Sequence, residues 1–418
     1  MQRKKKILIH SLVFSPDGVS TAYLYRDIAL QYKNCGYDVV VLTTVPHYNV
    51  IKNEVAKQHL KWKFFGFCKV SSFNGISVYH VPQKKFKSTV LRFFGFIYWH
   101  IVSFFIILSI KNIDVILSPS PPLTIGVINI IASKLKKCKT IYNVQEIYPD
   151  ILGKSNGIVF RILKKMERFV YKESSAVTTI DQVFYDTIKE RFINESILKI
   201  IPNFVDTSIY HPISDYNNKL DNDLFPINNA LKIIYAGNIG YAQDWDTLLS
   251  LAELTKDDNI EYFVIGDGVM KAYLKKHVET LCLRKVHIIS YLDRSLIPSV
   301  LSYSDIQFIF MNKNMEMQGF PSKVYTIMAC SKPLLVCSSQ RTPIVRFLSK
   351  YGCAKIFSDT SSNTNVENMA IWLHSVSKKE LEIMGINGLS VIKTSYSKEM
   401  VTMSYVDLAN NLLGDIYQ

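Results

Sequence analysis

Short apolar runs rich in β-branched residues alternate with amphipathic stretches along the chain, in the pattern of parallel strands joined by helices. A helix is predicted near residues 20–33, and strands are predicted at 6–13, 38–44, 115–120, 139–144, 176–180 and 199–203. After a polar stretch at 214–229 the series restarts, with strands at 232–238, 261–267, 286–290, 306–311, 333–338 and 353–357. The pattern predicts an α/β protein built from two doubly wound, Rossmann-like domains.

The length of 418 residues also favours two cores, because single hydrophobic cores rarely grow this large. We expect an N-terminal domain at residues 1–203 and a C-terminal domain at 204–395. Ligands of such sheets bind beyond the carboxyl ends of the strands. The expected site therefore lies in a cleft where the two domains face each other.

The net charge of +14 arises entirely from the first half of the chain: residues 1–215 carry 29 Lys and Arg against 15 Asp and Glu, and the remainder carries 20 of each. Many of these cations are interleaved with aromatic residues, a combination that suits an anionic membrane surface. A solvated lysine-rich face would give the same composition. Nucleic acid is not predicted as a partner, because no nucleic-acid-binding motif accompanies the charge.

Cysteine usage and the N-terminal segment both predict a location inside the cell. Seven cysteines are scattered without a C-x-x-C pair, which favours a reducing compartment and no zinc site. The opening KILIHSLVF resembles a strand more than a signal peptide. We expect a cytoplasmic protein on the inner face of the membrane.

Residues Phe93 to Ile110 form an 18-residue apolar run whose only ionisable group is His100. This length is at the lower limit for a transmembrane helix. Because the run lies between predicted strands, a spanning helix would divide the N-terminal domain across a bilayer. A helix that is buried or dips into the membrane is favoured over one that spans it.

Two glycine-containing turns are candidates for binding a phosphate or a sugar. Gly18 lies between the first strand and the first helix, and Gly237-Asn238-Ile239-Gly240 follows the first strand of the second domain. Backbone amides at such turns can hold a diphosphate, although a tight structural turn would have the same sequence. Neither is a G-x-G-x-x-G motif, so NAD is not predicted. A third glycine pair, Gly266 and Gly268, is predicted to form a plain turn.

Lys323 is the strongest candidate for an anion ligand. The stretch Gln318-Gly319-Phe320-Pro321-Ser322-Lys323 predicts a helix that begins near Ser322, with the lysine in its first turn. A cation at the positive end of a helix is unfavourable unless an anion lies there too. An ordinary exposed lysine remains the alternative.

With these motifs in place, the chain resembles the retaining glycosyltransferases of family 4, which have the GT-B fold. Within that family it is similar to the sugar transferases of O-antigen, capsule and colanic-acid assembly, including N-acetyl-L-fucosamine transferases. The resemblance covers nearly the whole chain and rests on the segments FSPDGVSTAYLYRDIALQYKNCGYDVVVLT, SPSPPLTIG, NVQEIYPD, IPNFVDTSIYHP, YAGNIGYAQDWDTLL, VIGDG and PSKVYTIMACSKPLL.

The resemblance implies roles for individual residues. Catalytic roles fall on Lys323 at the diphosphate and on Glu146 and Asp150 on the acceptor side. Binding of the donor falls on Gly18, Gly237, Asn238, Gly240, Gln243, Tyr291, Leu292, Gln318, Gly319, Ser322, Lys323 and Thr326. It also implies that the helix within residues 396–418 returns to the N-terminal domain.

The implied reaction moves a sugar, expected to be an N-acetylated amino sugar, from a UDP-sugar to a polyprenyl-diphosphate-linked glycan with retention of configuration. The UDP-sugar is a substrate, and no separate cofactor is expected. The sequence contains no D-x-D pair near a strand end and no acidic cluster with ligand spacing, so no metal is predicted.

The chain departs from the family pattern at several positions. Two glutamates separated by seven residues are common in the family, and Gln318 and Thr326 stand at the matching positions here. A basic residue of the diphosphate loop is replaced by Tyr241 and Ala242, and Ser118 and Ser120 occupy the region of an acceptor-side histidine. A nucleotide-sugar epimerase, a catalytically silent scaffold subunit and an integral membrane protein therefore stay open as alternatives.

Overall fold

The computed structural model describes residues 3–47, 55, 58–83, 88–152, 157–316, 320–358 and 361–414. It divides into two units, one formed by Met1–Asn203 with Glu399–Gln418 and one formed by Phe204–Lys398. The predicted donor residues Gln318 and Gly319 lie outside the described residues, as do the basic residues of 84–87.

The first unit is built on a nine-stranded sheet with the strand order β3-β4-β5-β2-β1-β6-β7-β8-β9. Its strands are β1 Lys6–His10, β2 Asp38–Thr44, β3 Lys61–Lys63, β4 Cys68–Phe73, β5 Ile76–Val81, β6 Val115–Ser120, β7 Lys139–Val144, β8 Ala176–Thr179 and β9 Leu198–Ile200. Its helices are α1 Ser20–Asn34, α2 Thr89–Ser109, α3 Leu123–Lys136, α4 Ile158–Glu173 and α5 Gln182–Ile188. The strands from β5 onward in this order are parallel and mostly buried, as is typical of parallel sheets.

One edge of this sheet differs from the parallel arrangement that the sequence pattern predicts. Strands β3, β4 and β5 form an antiparallel meander, and β5 joins the sheet by pairing in parallel with β2. The turn between β4 and β5 is Asn74-Gly75, where both residues have positive φ, 46° and 75°. This dipeptide is a strong hairpin signal, and it explains why a reversal replaces a helical crossover here.

The last helix belongs to the first unit. Helix α13 spans Lys398–Leu413, and the backbone carbonyl of its Tyr405 accepts a 2.8 Å hydrogen bond from the hydroxyl of Tyr32 in α1. Tyr37, which precedes β2, donates to the side chain of Asn410. The side chains of Tyr32, Tyr37 and Asn410 are all buried. Residues more than 360 positions apart in sequence therefore share one core.

The second unit contains a six-stranded parallel sheet with the order β12-β11-β10-β13-β14-β15. Its strands are β10 Leu231–Ala236, β11 Ile260–Ile265, β12 Val286–Ile289, β13 Ile306–Phe310, β14 Leu334–Cys337 and β15 Ala354–Phe357. Its helices are α6 Trp245–Leu254, α7 Lys271–Thr280, α8 Ile297–Tyr303, α9 Lys323–Ala329, α10 Pro343–Leu348, α11 Ser362–Ser375 and α12 Lys378–Val391.

Strand order reverses in this second sheet between β10 and β13. The chain runs outward from β10 through β11 to β12 and then crosses to β13 on the other side. At such a point the two connecting segments leave the sheet in opposite directions and open a crevice at the carboxyl ends of the strands. The segments that begin there are residues 237–240 after β10 and the segment that precedes α9.

Candidate functional site

The glycine loop after β10, residues 237–240, is held in place by hydrogen bonds to the end of β11, to the segment after it and to Tyr235. The amide of Gly237 donates to the carbonyl of Ile265 and the amide of Ile239 donates to that of Asp267, each at 2.9 Å. The carbonyl of Asn238 accepts from the hydroxyl of Tyr235 at 2.7 Å. The amides of Asn238 and Gly240 have no partner among the described residues. Alternate amides of this loop are therefore available to a ligand.

A second glycine loop, after β11, supports the first by close backbone approach. A Cβ on Gly266 would stand 1.9 Å from the carbonyl oxygen of Gly237, and a Cβ on Gly268 would stand 2.2 Å from that of Ile239. Both glycines have positive φ, 147° and 158°. The pair predicted to form a plain turn thus also makes room for the glycine loop beside it.

Lys323 directs its ammonium at the first glycine loop. Its Nζ lies 3.5 Å from the centre of the Tyr235 ring, and a Cβ on Gly237 would be 2.6 Å from this atom. The Nζ atom is buried and has no hydrogen-bond partner among the residues that the structure describes. Burial lowers the pKa of Lys323 to about 7. A buried amine without a partner is costly, and cation–π contact with Tyr235 compensates only part of that cost.

The reason why Lys323 suits an anion differs from the one predicted, which was its position at the positive end of a helix dipole. Helix α9 does begin at Lys323, after Ser322, but it has only seven residues. The ammonium lies over the ring of Tyr235, in the strand next to β13, and the lowered pKa has desolvation as its cause. Burial without an anionic partner, more than the helix dipole, is what makes this lysine suited to an anion.

The other predicted donor-binding residues near Lys323 differ in burial and in hydrogen bonding. Gln243 is buried, and its Oε1 has no partner among the described residues. Ser322 is exposed just before α9, and the hydroxyl of Thr326 donates to the carbonyl of Lys323 at 2.8 Å. The Thr326 oxygen still has acceptor capacity, so its contact with a ribose stays a prediction.

Tyr291 and Leu292 lie after β12, two strands from the glycine loop. The side chain of Tyr291 is exposed and its amide donates to the carboxylate of Asp267 at 3.2 Å. Lys271 pairs with the same carboxylate at 2.6 Å, and these contacts lower the pKa of Asp267. The amide of Tyr291 is therefore held by Asp267, and its contact with a nucleotide base stays a prediction.

In the first unit, the Gly18 turn is fixed by a buried neighbour. Asp17 is buried, and its Oδ1 accepts a 2.8 Å hydrogen bond from the amide of His47 after β2. The imidazole Nδ1 of His47 lies 3.0 Å from the hydroxyl of Thr44. The segments after β1 and β2 are thus joined at the carboxyl edge of the sheet, where Gly18 begins the approach to α1. Sequence reasoning did not single out Asp17 or His47.

Glu146 and Asp150, both after β7, have contrasting surroundings. The Glu146 carboxylate has no hydrogen-bond partner among the described residues, and partial desolvation of this exposed residue raises its pKa. Asp150 pairs with Lys164 and, at 2.5 Å, with Arg191. Burial alone would raise the pKa of Asp150, but these two cations outweigh it and lower the pKa. Of the two predicted catalytic carboxylates, Glu146 is available for chemistry and Asp150 is engaged in an ion-pair cluster.

Glu316, just before residues 317–319, is a buried carboxylate that the sequence analysis did not identify. Glu316 is buried and accepts hydrogen bonds from the amide of Ser339 at 3.0 Å and from the hydroxyl of Ser338 at 3.1 Å. It also accepts from the Ser339 hydroxyl. These bonds fasten the segment after β13 to the end of β14. Only the E-x-x-x-F-P spacing before Lys323 could have indicated it.

Among the described residues, no group of three or more histidine, cysteine, aspartate or glutamate side chains is placed to hold a metal ion. The metal-independence of the reaction stays a prediction to be tested in solution.

Comparisons with known proteins agree with this geometry. Residues 218–388, most of the second unit, match the family model described as Glycosyl transferases group 1. The chain is 22% identical over 355 residues to the putative colanic acid biosynthesis glycosyl transferase WcaI of Escherichia coli K12, covering 81% of this chain and 84% of the relative. It is 23% identical over 287 residues to the probable glycosyltransferase WbjE of Pseudomonas aeruginosa, covering 66% and 69%.

Among solved structures, the Anabaena protein Alr3699/HepE in complex with UDP superposes with a TM-score of 0.72 at 13% identity, over 97% of this chain and all of that one. The chain therefore has the GT-B fold, as the sequence predicts. The matches in sequence support a glycosyltransferase of the kind found in bacterial polysaccharide synthesis.

Proposed function

We propose that this chain is a retaining glycosyltransferase of bacterial surface polysaccharide synthesis, which moves a sugar from a UDP-sugar to a polyprenyl-diphosphate-linked glycan. The donor binds in the second unit, at the crevice between β10 and β13. The family model that matches this unit, the putative colanic acid biosynthesis glycosyl transferase WcaI and the probable glycosyltransferase WbjE support the reaction class. The UDP bound by the Anabaena protein of the same fold supports UDP as the nucleotide.

The observation that carries the proposal is the buried, unpartnered ammonium of Lys323 against the glycine loop. Folded proteins rarely retain such a group unless a ligand completes it. A diphosphate supplies the missing negative charge, and the free amides of Asn238 and Gly240 supply further donors. An anion of this kind therefore satisfies the lysine and the loop together.

Charge builds up on the departing diphosphate as the bond to the sugar breaks. The Lys323 Nζ is buried beside the loop amides, and hydrogen bonds to developing charge are stronger at a buried position than in water. Tyr235 positions both elements, because its ring contacts the Lys323 ammonium and its hydroxyl binds the Asn238 carbonyl. In this mechanism the second unit stabilises the leaving group.

Glu146 is the proposed partner of the acceptor hydroxyl. Its carboxylate is free of hydrogen bonds within the described chain, and its raised pKa makes it a better proton acceptor than an ordinary carboxylate. Asp150, four residues after Glu146, forms ion pairs with Lys164 and Arg191 and thereby positions the segment after β7. The transfer itself proceeds with the donor phosphate as a participant and with retention at the anomeric carbon.

A thermal-shift experiment tests the donor assignment. Only a ligand that binds the folded state raises the melting temperature. At a ligand concentration of 100 times Kd, binding adds about 2.7 kcal/mol to the free energy of unfolding. We expect UDP to raise it by several degrees with or without magnesium, and GDP, ADP and TDP to raise it less. A Gln243→Glu variant, which adds a carboxylate beside the proposed diphosphate position, should lose the UDP shift. No shift with any nucleotide would favour the scaffold alternative.

An activity assay separates the transferase from the epimerase. A transferase consumes a UDP-sugar only when a lipid-linked acceptor is present and releases UDP, whereas an epimerase converts the UDP-sugar without releasing UDP. We expect acceptor-dependent release of UDP, measured by chromatography. Conversion of the donor with the nucleotide still attached would contradict the proposal.

The affinity for UDP should fall as pH rises above neutrality. With a pKa of about 7, Lys323 is increasingly neutral above pH 7 in the free protein, whereas a bound diphosphate favours its ammonium form. Binding at pH 8 therefore takes up a proton, and Kd rises by up to about tenfold per pH unit above 7. Calorimetry in buffers with different ionisation enthalpies measures the proton uptake directly. The Lys323→Met variant should show neither effect; an equal pH dependence in that variant would assign the titration to another group.

A further inference from the structure

Helix α2 presents two faces with different roles. Its inner face carries Trp99, Val102, Ile106 and Ile107, which are buried in one cluster with residues of β1, β2, β5, β6 and α3. The imidazole Nε2 of His100 lies 2.7 Å from the hydroxyl of Thr124 in α3. The helix is thus packed and hydrogen-bonded along the first unit, although it is long and apolar enough to cross a membrane, the one such helix within the described residues.

The outer face of α2 is apolar and exposed. Phe93 is 61% exposed and Phe105 is 64% exposed, and the residues of this stripe recur at helical spacing. The exposed members are Val90, Leu91, Phe93, Phe94, Ile97, Tyr98, Ile101 and Phe105. A solvated helix would carry polar side chains on this side, so the stripe indicates a surface that is covered by something else.

A second exposed apolar segment lies next to the helix. Trp62 in β3 is exposed, as are Phe64, Phe65 and Phe67 between β3 and β4. Cys68, the first residue of β4, packs in the same buried cluster as Trp99. Phe65 is fully exposed and has a φ of 54°, an unusual backbone conformation for a bulky residue. We call this segment and the outer stripe of α2 together the apolar face.

The charges in the part of the chain that carries the apolar face have a single sign. Residues 55–113 contain no aspartate or glutamate, and their cations include Lys61, Lys63, Lys69 and Arg92. The ammonium of Lys69 lies 4.7 Å from the centre of the Trp62 ring. Aromatic side chains at the level of lipid head groups, with lysine and arginine beside them, are typical of proteins that lie on an anionic bilayer.

We infer that the apolar face is a membrane-docking surface, with α2 lying in the plane of an anionic bilayer and the aromatic residues of 62–67 entering the head-group region. The single-sign charge disfavours a second copy as the occupant, because a two-fold interface would bring the same cations together. An anionic lipid surface instead complements them. The inference rests on the proposed function in one respect: docking on the membrane would bring the enzyme to its lipid-linked acceptor.

Vesicle sedimentation tests the inference without donor or acceptor. We expect the wild-type protein to sediment with vesicles of equal parts phosphatidylcholine and phosphatidylglycerol, and much less with phosphatidylcholine alone. The double variant Phe93→Gln/Phe105→Gln should bind the mixed vesicles about tenfold more weakly or worse. The variant Lys61→Gln/Lys63→Gln should lose roughly fivefold per lysine on mixed vesicles only.

The chain offers a matched control in the second unit. Ile371 and Ile386 are 65% and 61% exposed, so Ile371→Gln/Ile386→Gln removes similar exposed apolar area and should leave vesicle binding unchanged. A cooperative thermal unfolding transition, measured in parallel, establishes that each variant is folded, and the UDP-induced shift in its melting temperature tests the proposed function separately. Unchanged sedimentation of the Phe93/Phe105 variant would overturn the inference. So would a wild-type dimer, found by analytical ultracentrifugation, that this variant converts to a monomer.

Discussion

The Lys323→Met variant is expected to lose transfer activity by a factor of about 100 to 1000 and yet to unfold at higher denaturant concentration than the wild type. The loss follows from removing a donor that acts on charge developing in the transition state. The gain, about 2 kcal/mol, follows from replacing a buried amine that has no hydrogen-bond partner with an apolar side chain of similar length. Steady-state kinetics and urea unfolding of the ligand-free protein measure the two effects.

The gain in stability should depend on pH in a defined direction. The pKa of Lys323 is lowered from 10.5 to about 7 in the folded protein, so folding disfavours its charged form. The cost to the wild type is fully present below about pH 7 and disappears as pH rises to the unfolded value. The advantage of the methionine variant should therefore be largest at neutral and acidic pH and should shrink toward pH 10.

Lys332 provides the matched control for this prediction. It is a second lysine whose pKa is lowered by burial, but its Nζ donates a 2.6 Å hydrogen bond to the carbonyl of Ser304. Lys332→Met should cost about 1 kcal/mol of stability and leave turnover close to that of the wild type. If Lys323→Met lost as much stability as Lys332→Met, the ammonium of Lys323 would be part of the core packing and not a group that awaits an anion.

The Gly266→Ala variant is expected to lose both stability and UDP binding. Its Cβ would stand 1.9 Å from the carbonyl oxygen of Gly237, and neither atom belongs to a side chain that could rotate away. The two loops must separate, which breaks the hydrogen bond from the amide of Gly237 to Ile265 and displaces the amides that face the ligand. We expect a loss of about 3 kcal/mol or more in the free energy of unfolding, and no UDP-dependent thermal shift.

Gly237→Ala and Gly36→Ala separate the possible causes of such a loss. Gly237 has a φ of 154°, and its added Cβ would meet the Lys323 ammonium at 2.6 Å rather than backbone atoms. That variant should therefore carry the backbone cost, still fold, and bind UDP weakly. Gly36 also has positive φ, but nothing lies within 4 Å of its added Cβ. Gly36→Ala should therefore show the backbone cost alone, about 1 kcal/mol, with UDP binding intact. Equal losses in Gly36→Ala and Gly266→Ala would refute the close-packing explanation.

The strands that carry the site could be predicted from the sequence because each is a continuous apolar run bounded by turn residues. The two-sheet α/β architecture follows from those runs, and the GT-B fold follows from the family resemblance of the motifs; both are confirmed. The meander of β3 to β5 was not predicted, because its strands are partly exposed and mix polar with apolar residues, so they lack a continuous apolar run. The Asn74-Gly75 turn was the signal that could have revealed it.

The surroundings of Lys323 could not be predicted in the same way. Lys323 itself was found from its motif, but Tyr235 has the pattern of an ordinary core residue in a strand. Its contact with the lysine exists only because β10 and β13 are neighbours in the sheet, and strand order is not encoded in periodicity. Glu316 was missed for a related reason, because its partners Ser338 and Ser339 lie beyond another strand.

The return of helix α13 to the first unit has a consequence for synthesis of the protein. Ribosomes deliver the chain from its N-terminus, and domains usually fold as they emerge. Here, however, the partners of Tyr32 and Tyr37 are Tyr405 and Asn410. The unit that is translated first can therefore complete its core only after the unit translated second has left the ribosome. Until then the nascent chain leaves these tyrosines uncovered, as a surface on which chaperones can act.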